Sequence, residues 1–309
     1  MRVVFLGTPL IALEVLKSLD ASFYDVVAVV TQPDRANARG NKVIFSPVKN
    51  YAMERGIPVY QFNSISKEGE DDLKSLSPDV MVTCAYGQIL RQNILSICPI
   101  FNVHASLLPK YRGSSPVQWA LIAGEKEVGV TIMKTDIGVD TGDIVLEESI
   151  TLSGDENCDE VLDKLAVLGG KLIVDALGLY ENGDIRYIPQ NEADATHCRM
   201  LEKSDGEIDF HKSAEEIKNL IRGVTPWPGA FTTSALGKLK ILKANVKVGD
   251  FGGNATGEVV VSDHKNGLIV KCGQDYLDLL TVQGENAKAM DAKAYLLGHK
   301  IPVGSVFGA

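Results

Sequence analysis

Arg2-Val-Val-Phe-Leu6, the turn Gly7-Thr8-Pro9, a segment with apolar residues at helical spacing over 10–20, and Asp25-Val-Val-Ala-Val-Val-Thr31 decide the fold. The two apolar runs are nearly continuous rather than alternating, as in strands buried on both faces. A buried strand, a helix and a second buried strand open an α/β fold with a doubly wound, mostly parallel sheet. The turn has one glycine where a dinucleotide-binding fold carries three, with Pro at 9 and Ala at 12. A pyrophosphate would lack its close backbone approach, which argues against a nicotinamide-dependent oxidoreductase.

Working outward, strands are predicted near 58–60, 79–84, 100–104, 128–135 and 143–152, and helices near 46–55, 66–76, 115–123 and 156–181. Asn182-Gly183-Asp184 ends the last helix. Residues 184–204 are polar and poorly periodic and read as a linker. Beyond it come a short helix (213–222), short β-like runs at 230–234, 238–246, 256–262, 267–272 and 276–283, and a helical end at 289–297. The expected organisation is a first domain over 1–183, a linker over 184–204 and a second, smaller β-barrel (OB-like) domain over 205–309.

Composition bounds the function. At 309 residues, 45% hydrophobic and 23% charged, the profile is that of a soluble globular protein of ordinary domain sizes. No stretch approaches a membrane span, and residues 1–6 lack the order of a signal or transit peptide. The five cysteines (84, 98, 158, 198, 272) form no C-x-x-C pair, so no metal site is expected and a reducing, cytoplasmic setting fits. All of the net charge of −9 lies in residues 1–203, because residues 204–309 carry 12 acidic and 12 basic side chains. Against that trend, residues 34–50 hold Arg35, Arg39, Lys42 and Lys49 beside Asp34 alone. A cationic, glycine-bearing loop of this kind suits phosphates or an opened end base pair.

The chemistry concentrates in Asn102-Val-His104-Ala-Ser106-Leu107-Leu108-Pro109-Lys-Tyr-Arg112-Gly113 and in Gly138-Val-Asp140-Thr-Gly142-Asp143. On a strand, Asn102 and His104 share a face. Pro109 stops regular pairing, so the following segment reads as a loop leaving the carboxyl edge of the sheet, where open α/β sheets bind ligands. Asp140 is expected in another such loop. An amine attacking a formyl group builds negative charge on oxygen and positive charge on nitrogen. Asn102 and a protonated His104 would donate to that oxygen. Asp140 would favour the charged imidazole and, directly or through a water, accept the proton leaving the amine.

Alone, Asn-x-His or Gly-x-Asp-x-Gly is a weak signal. Together, in this order and spacing, they resemble the formyltransferase family that uses 10-formyltetrahydrofolate. The resemblance spans nearly the whole chain. It implies a formyltransferase catalytic domain, catalytic Asn102, His104 and Asp140, and no metal. It further implies folate contacts from Ser106, Leu107, Leu108 and Pro109, from Gln88, Ile89 and Leu90 after the preceding strand, and from Ile137 and Val139. Within the family, the basic loop resembles that of the members acting on methionine carried by initiator tRNA, which implies tRNA contacts from Arg35, Arg39 and Lys42. Ala36 and Ala38 depart from the Pro and Gly common there. Thr225-Pro226-Trp227-Pro228-Gly229 resembles the start of the family's carboxyl-terminal, tRNA-binding β-barrel. Lys238, Lys240, Lys243 and Lys247 offer phosphate contacts there, or simply a solvated strand face. The expected partners are initiator Met-tRNA and the folate co-substrate, with no membrane and a monomeric enzyme.

The nearest alternative is a formyltransferase acting on a nucleotide-linked aminosugar, which shares the three catalytic residues but needs no cationic 34–49 loop. A glycinamide ribonucleotide formyltransferase would leave the last hundred residues surplus. A non-catalytic RNA-binding module would leave Asn102, His104 and Asp140 idle.

Overall fold

The computed structural model describes residues 1–36, 43–234 and 236–308. The chain divides into two compact units: Met1–Pro116, Glu127–Thr151 and Leu162–Cys198 form the first, and Val117–Lys126, Leu152–Val161 and Arg199–Ala309 the second. The boundaries expected at 183 and 204 therefore differ from this division. Residues 184–198 group with the first unit, in which Ile144 and Ile188 exchange both backbone hydrogen bonds at 2.8 and 2.9 Å.

In chain order the first part carries β1 (Arg2–Gly7), α1 (Leu10–Asp20), β2 (Asp25–Thr31), the short β3 (Arg35–Ala36) and β4 (Val43–Ile44), α2 (Pro47–Arg55), β5 (Val59–Gln61), α3 (Ile65–Glu68), α4 (Glu70–Ser75), β6 (Val80–Cys84), α5 (Gln92–Leu95), β7 (Ile100–His104), β8 (Arg112–Gly113), α6 (Pro116–Ile122), β9 (Glu127–Lys134), β10 (Ile144–Thr151), α7 (Cys158–Glu181) and β11 (His197–Cys198). The predicted helix over 66–76 is two helices, α3 and α4, because Gly69 closes the first and opens the second. The main elements form for legible reasons. In α1, buried Ala12, Val15, Leu16 and Leu19 recur at the 3–4 residue spacing of one helix face. In α2, the Ser46 hydroxyl caps the Lys49 amide, Pro47 takes the first turn, and Gly56 ends the helix in the left-handed region.

Seven strands make one sheet in the order β10-β9-β7-β6-β1-β2-β5. The pairs β7–β6, β6–β1, β1–β2 and β2–β5 are parallel, while β9 and β10 are antiparallel to their neighbours. Chain order reverses on the two sides of β1, so the carboxyl ends of β1 and β6 flank the switch point at which such sheets leave a crevice.

The second unit adds α8 (Ala214–Val224), β12 (Ala230–Ser234), β13 (Gly237–Lys247), β14 (Val259–Asp263), β15 (Gly267–Lys271), β16 (Tyr276–Gly284), β17 (Met290–Asp291) and α9 (Ala292–Gly298). Its strands form one antiparallel sheet in the order β12-β13-β16-β15-β14, with β17 added to β16. The core packs Ile217 and Ile221 of α8 with Leu239, Ile241, Leu268, Leu277 and Leu279 of the strands. Among the described residues, no helix is long and apolar enough to cross a membrane.

Candidate active site

Asn102 and His104 occupy the last half of β7, and their side chains leave the same face. The neighbouring β6 sets the orientation of the amide. Thr83 is in register with Asn102, and its hydroxyl donates to Asn102 Oδ1 at 2.8 Å. That bond turns Nδ2 outward, where it donates to Asp140 Oδ1 at 3.3 Å. The other carboxylate oxygen, Oδ2, lies 3.6 Å from His104 Nδ1 and accepts the Gly113 amide at 2.8 Å. An amide, a carboxylate and an imidazole thus converge, with Asn102 reaching Asp140 across 38 residues of chain and the Gly113 backbone amide reaching it across 27.

The route by which Asp140 arrives differs from the sequence expectation. Because β9 runs antiparallel to β7, Lys134 pairs with Phe101 at the start of β7 and not at its carboxyl end. The loop 135–143 therefore begins at the opposite edge, and its tip turns back over the face from which Asn102 and His104 project. The turn is tight. Asp140 sits at φ 54°, and a side chain at Gly142 would lie 1.7 Å from the Lys134 carbonyl oxygen. Gly113 is equally constrained: at φ 120°, its Cβ would meet the Cys198 carbonyl at 2.1 Å.

His104 is 6% exposed. Its Nε2 lies 3.1 Å from the Tyr111 carbonyl, to which it donates, and its Nδ1 faces the Asp140 carboxylate. Both ring nitrogens thus face oxygen acceptors. The Nδ1 contact is longer than a hydrogen bond, so this nitrogen is the one open to a further partner.

The residues read as folate contacts separate into two groups. Ile89, Ile137 and Val139 are exposed, at 72%, 64% and 54%. Gln88, Leu90, Ser106 and Leu108 are turned into the protein. Gln88 accepts the Ile65 amide and donates to the Phe62 carbonyl, each at 2.8 Å. Leu90 belongs to the core with Phe62, Ile65 and Ile94. The Ser106 hydroxyl donates to the Lys110 carbonyl at 2.7 Å, and Leu108 is buried, its amide held at 3.1 Å by the Thr131 hydroxyl. Leu107 lies over Gly129, and Pro109 follows a cis peptide bond.

The basic loop yields less. Arg39 and Lys42 lie outside the described residues, and for Arg35 the backbone alone is described, paired with Ile44. Lys49 is no free cation. It bonds Asp34 and, at 2.8 Å, Gln61, and it lies 4.1 Å above the Phe45 ring. These partners hold the Asp34 carboxyl below the usual carboxylate range against the opposing, largest effect of desolvation.

Sequence reasoning missed Thr83, the Gly113 amide and Gln190. Gln190 Nε2 donates to the Asp140 carbonyl at 2.9 Å and to the Gly142 carbonyl at 2.7 Å. The lone polar residue in Val80-Met-Val-Thr-Cys84 was a signal for Thr83. Nothing local marks Gln190.

Donors and an acid meet at one sheet face, an arrangement that can polarise a carbonyl without a covalent enzyme intermediate. The chain belongs to the formyltransferase family: the formyl transferase model matches residues 1–177, and the formyl transferase C-terminal domain model residues 200–300. Similar proteins include the methionyl-tRNA formyltransferase of Caldanaerobacter subterraneus subsp. tengcongensis, 45% identical over 99% of each chain. That of Marinobacter nauticus is 42% identical over 97% of each. Among solved structures, WlaRD, a sugar 3N-formyltransferase determined with dTDP and 5-N-formyl-THF, shares the fold. Its TM-score is 0.68 at 18% identity, covering 93% of this chain and 99% of that one.

Proposed function

We propose that this chain moves the formyl group of 10-formyltetrahydrofolate onto the α-amino group of methionine esterified to initiator tRNA, giving N-formylmethionyl-tRNA for translation initiation. The convergence of Asn102, Asp140 and His104 carries the reading, in a chain whose full-length relatives are methionyl-tRNA formyltransferases. The likeness to sugar formyltransferases is one of fold and does not favour an aminosugar acceptor.

The donor, when bound, supplies a formyl carbon on a nitrogen leaving group. The residues present fit such a molecule: an outward-turned amide donor and a carboxylate stand beside the exposed apolar side chains of the Asp140 loop. Transfer forms the bond from the amine nitrogen to that carbon and breaks the bond to the donor nitrogen. An α-amine titrates near about 7.7–8.0, so a neutral nucleophile is available near neutral pH. Asn102 Nδ2 and His104 Nδ1–H donate to the carbonyl oxygen as charge gathers there. Removing one such donor typically costs about 2.7–4 kcal/mol of barrier. Asp140 balances the imidazolium and accepts the proton leaving the amine, directly or through one water, and that proton passes to the donor nitrogen, which leaves as tetrahydrofolate. Ile89, Leu107, Ile137 and Val139 contribute apolar wall to the folate site, with the backbone of 106–109. Gln88, Leu90, Ser106 and Leu108 brace that wall from behind.

Arg35, Arg39 and Lys42 contact the tRNA acceptor end, and the unit containing residues 205–309 binds tRNA through its own surface. The enzyme acts as a cytoplasmic monomer. The test supplies labelled 10-formyltetrahydrofolate with initiator Met-tRNA, elongator Met-tRNA, an aminosugar nucleotide or glycinamide ribonucleotide. Label is expected in the initiator Met-tRNA. Label in the sugar alone would end this reading.

A further inference from the structure

The side chain of Gln190 spends its whole hydrogen-bonding capacity next to Asp140. Its Oε1 accepts from Arg112 Nε at 3.0 Å and Nη2 at 2.8 Å, and its Nε2 donates to the Asp140 and Gly142 carbonyls at 2.9 and 2.7 Å. The orientation is forced. A guanidinium only donates, so the amide oxygen must face Arg112 and the amide NH2 must face the loop. Arg112 is itself fixed: it is 1% exposed and reaches the Glu192 carboxylate with two bonds, at 3.0 and 2.7 Å. The bond from Arg112 holds the Glu192 carboxyl below its usual range. Such two-pronged pairs fix geometry as well as charge.

The network grips Asp140 at both ends. Gln190 holds its backbone carbonyl, while the amide of Gly113, the residue after Arg112, holds its carboxylate. Asp140 is also in the left-handed region at φ 54°, which Asp adopts more readily than most non-glycine residues.

We propose that Gln190 is a positioning residue of the transfer site. Braced by Arg112 and Glu192, it holds the 140–142 backbone so that the Asp140 carboxylate stands between Asn102 and His104. The proposal rests on the role assigned to Asp140 above and makes part of the stretch read as a linker belong to the active site.

The isosteric variant Gln190→Glu keeps the acceptor for Arg112 and loses both donors to the loop. A misplacement on the scale of 1 Å can cost about a hundredfold in rate. Single-turnover transfer to initiator Met-tRNA should therefore fall about tenfold to a hundredfold, with KM for both substrates within about threefold. The decisive arm repeats the substitution on Asp140→Asn. A residue acting through Asp140 adds less than about threefold there, whereas a merely structural role multiplies in full. An effect under threefold in the single variant, or an equal loss on both backgrounds, overturns the proposal. If Gln190→Glu melts well below the parent, Gln190→Met carries the same cycle. Failure of both to fold would assign Gln190 to the fold alone and likewise overturn it. Should Asp140→Asn itself transfer at the parent rate, it is the functional reading that fails, a result separable from either of these.

Discussion

Two neighbourhoods of the same unit, the Asn102–Asp140–His104 convergence and the segments read as folate contacts, fared differently between sequence and structure. In the first, every side chain named from the sequence meets another: Asn102 Nδ2 and His104 Nδ1 face opposite oxygens of one carboxylate. In the second, Ile89, Ile137 and Val139 are open, while Gln88, Leu90, Ser106 and Leu108 serve the fold. A polar group that does chemistry must be a particular residue type, so its identity survives in the sequence. A wall needs only an apolar or backbone surface. Which residue of a run faces out is set by tertiary packing.

The comparison can be broken at several points. The largest effect is expected in the convergence itself: Asn102→Ala or His104→Ala should lower kcat by about 10²–10³ at saturating donor, read by single-turnover transfer. A loss under tenfold would make these groups as dispensable as the wall. Arg39→Ala comes next. It should cut kcat/KM for initiator Met-tRNA by about tenfold and reduce the salt dependence by about one unit of slope, while equilibrium folate binding stays unchanged. Equal losses toward tRNA and folate would contradict its assignment. A smaller effect is expected from Ile137→Ala: removing about three carbons from an apolar contact should raise the folate KM by about three- to tenfold with kcat held. The smallest kinetic effect belongs to Gln88→Leu. It deletes two bonds to backbone and should cost about 1–3 kcal/mol in denaturant unfolding, with transfer per folded molecule changed less than about threefold. A large kinetic loss there would move Gln88 from the brace into the site.

The fold was legible wherever pattern is local. Continuous apolar runs marked β1, β2 and β6. The predicted strands of the carboxyl-terminal part fall on β12 to β16. What pattern could not carry is pairing. The antiparallel placement of β9 starts the Asp140 loop at the opposite edge of the sheet, and the loop returns to Asn102 and His104. The pairing of β8 with β11 and the exchange between Ile144 and Ile188 draw a polar stretch into the first unit. Gln190 was invisible for the same reason: its partners lie 48 to 78 residues away. Thr83, a lone polar residue in an apolar strand, was the one missed contributor with a local signature.

The most direct measurement is single-turnover formyl transfer to initiator Met-tRNA by Asp140→Asn, with bound donor followed in parallel. Asparagine keeps the size and can still accept the Gly113 amide, but it can neither take a proton nor balance an imidazolium. The account predicts that donor binding stays within about threefold of the parent while the transfer rate drops by about 10²–10⁴. A rate within threefold of the parent, with donor bound, would contradict it.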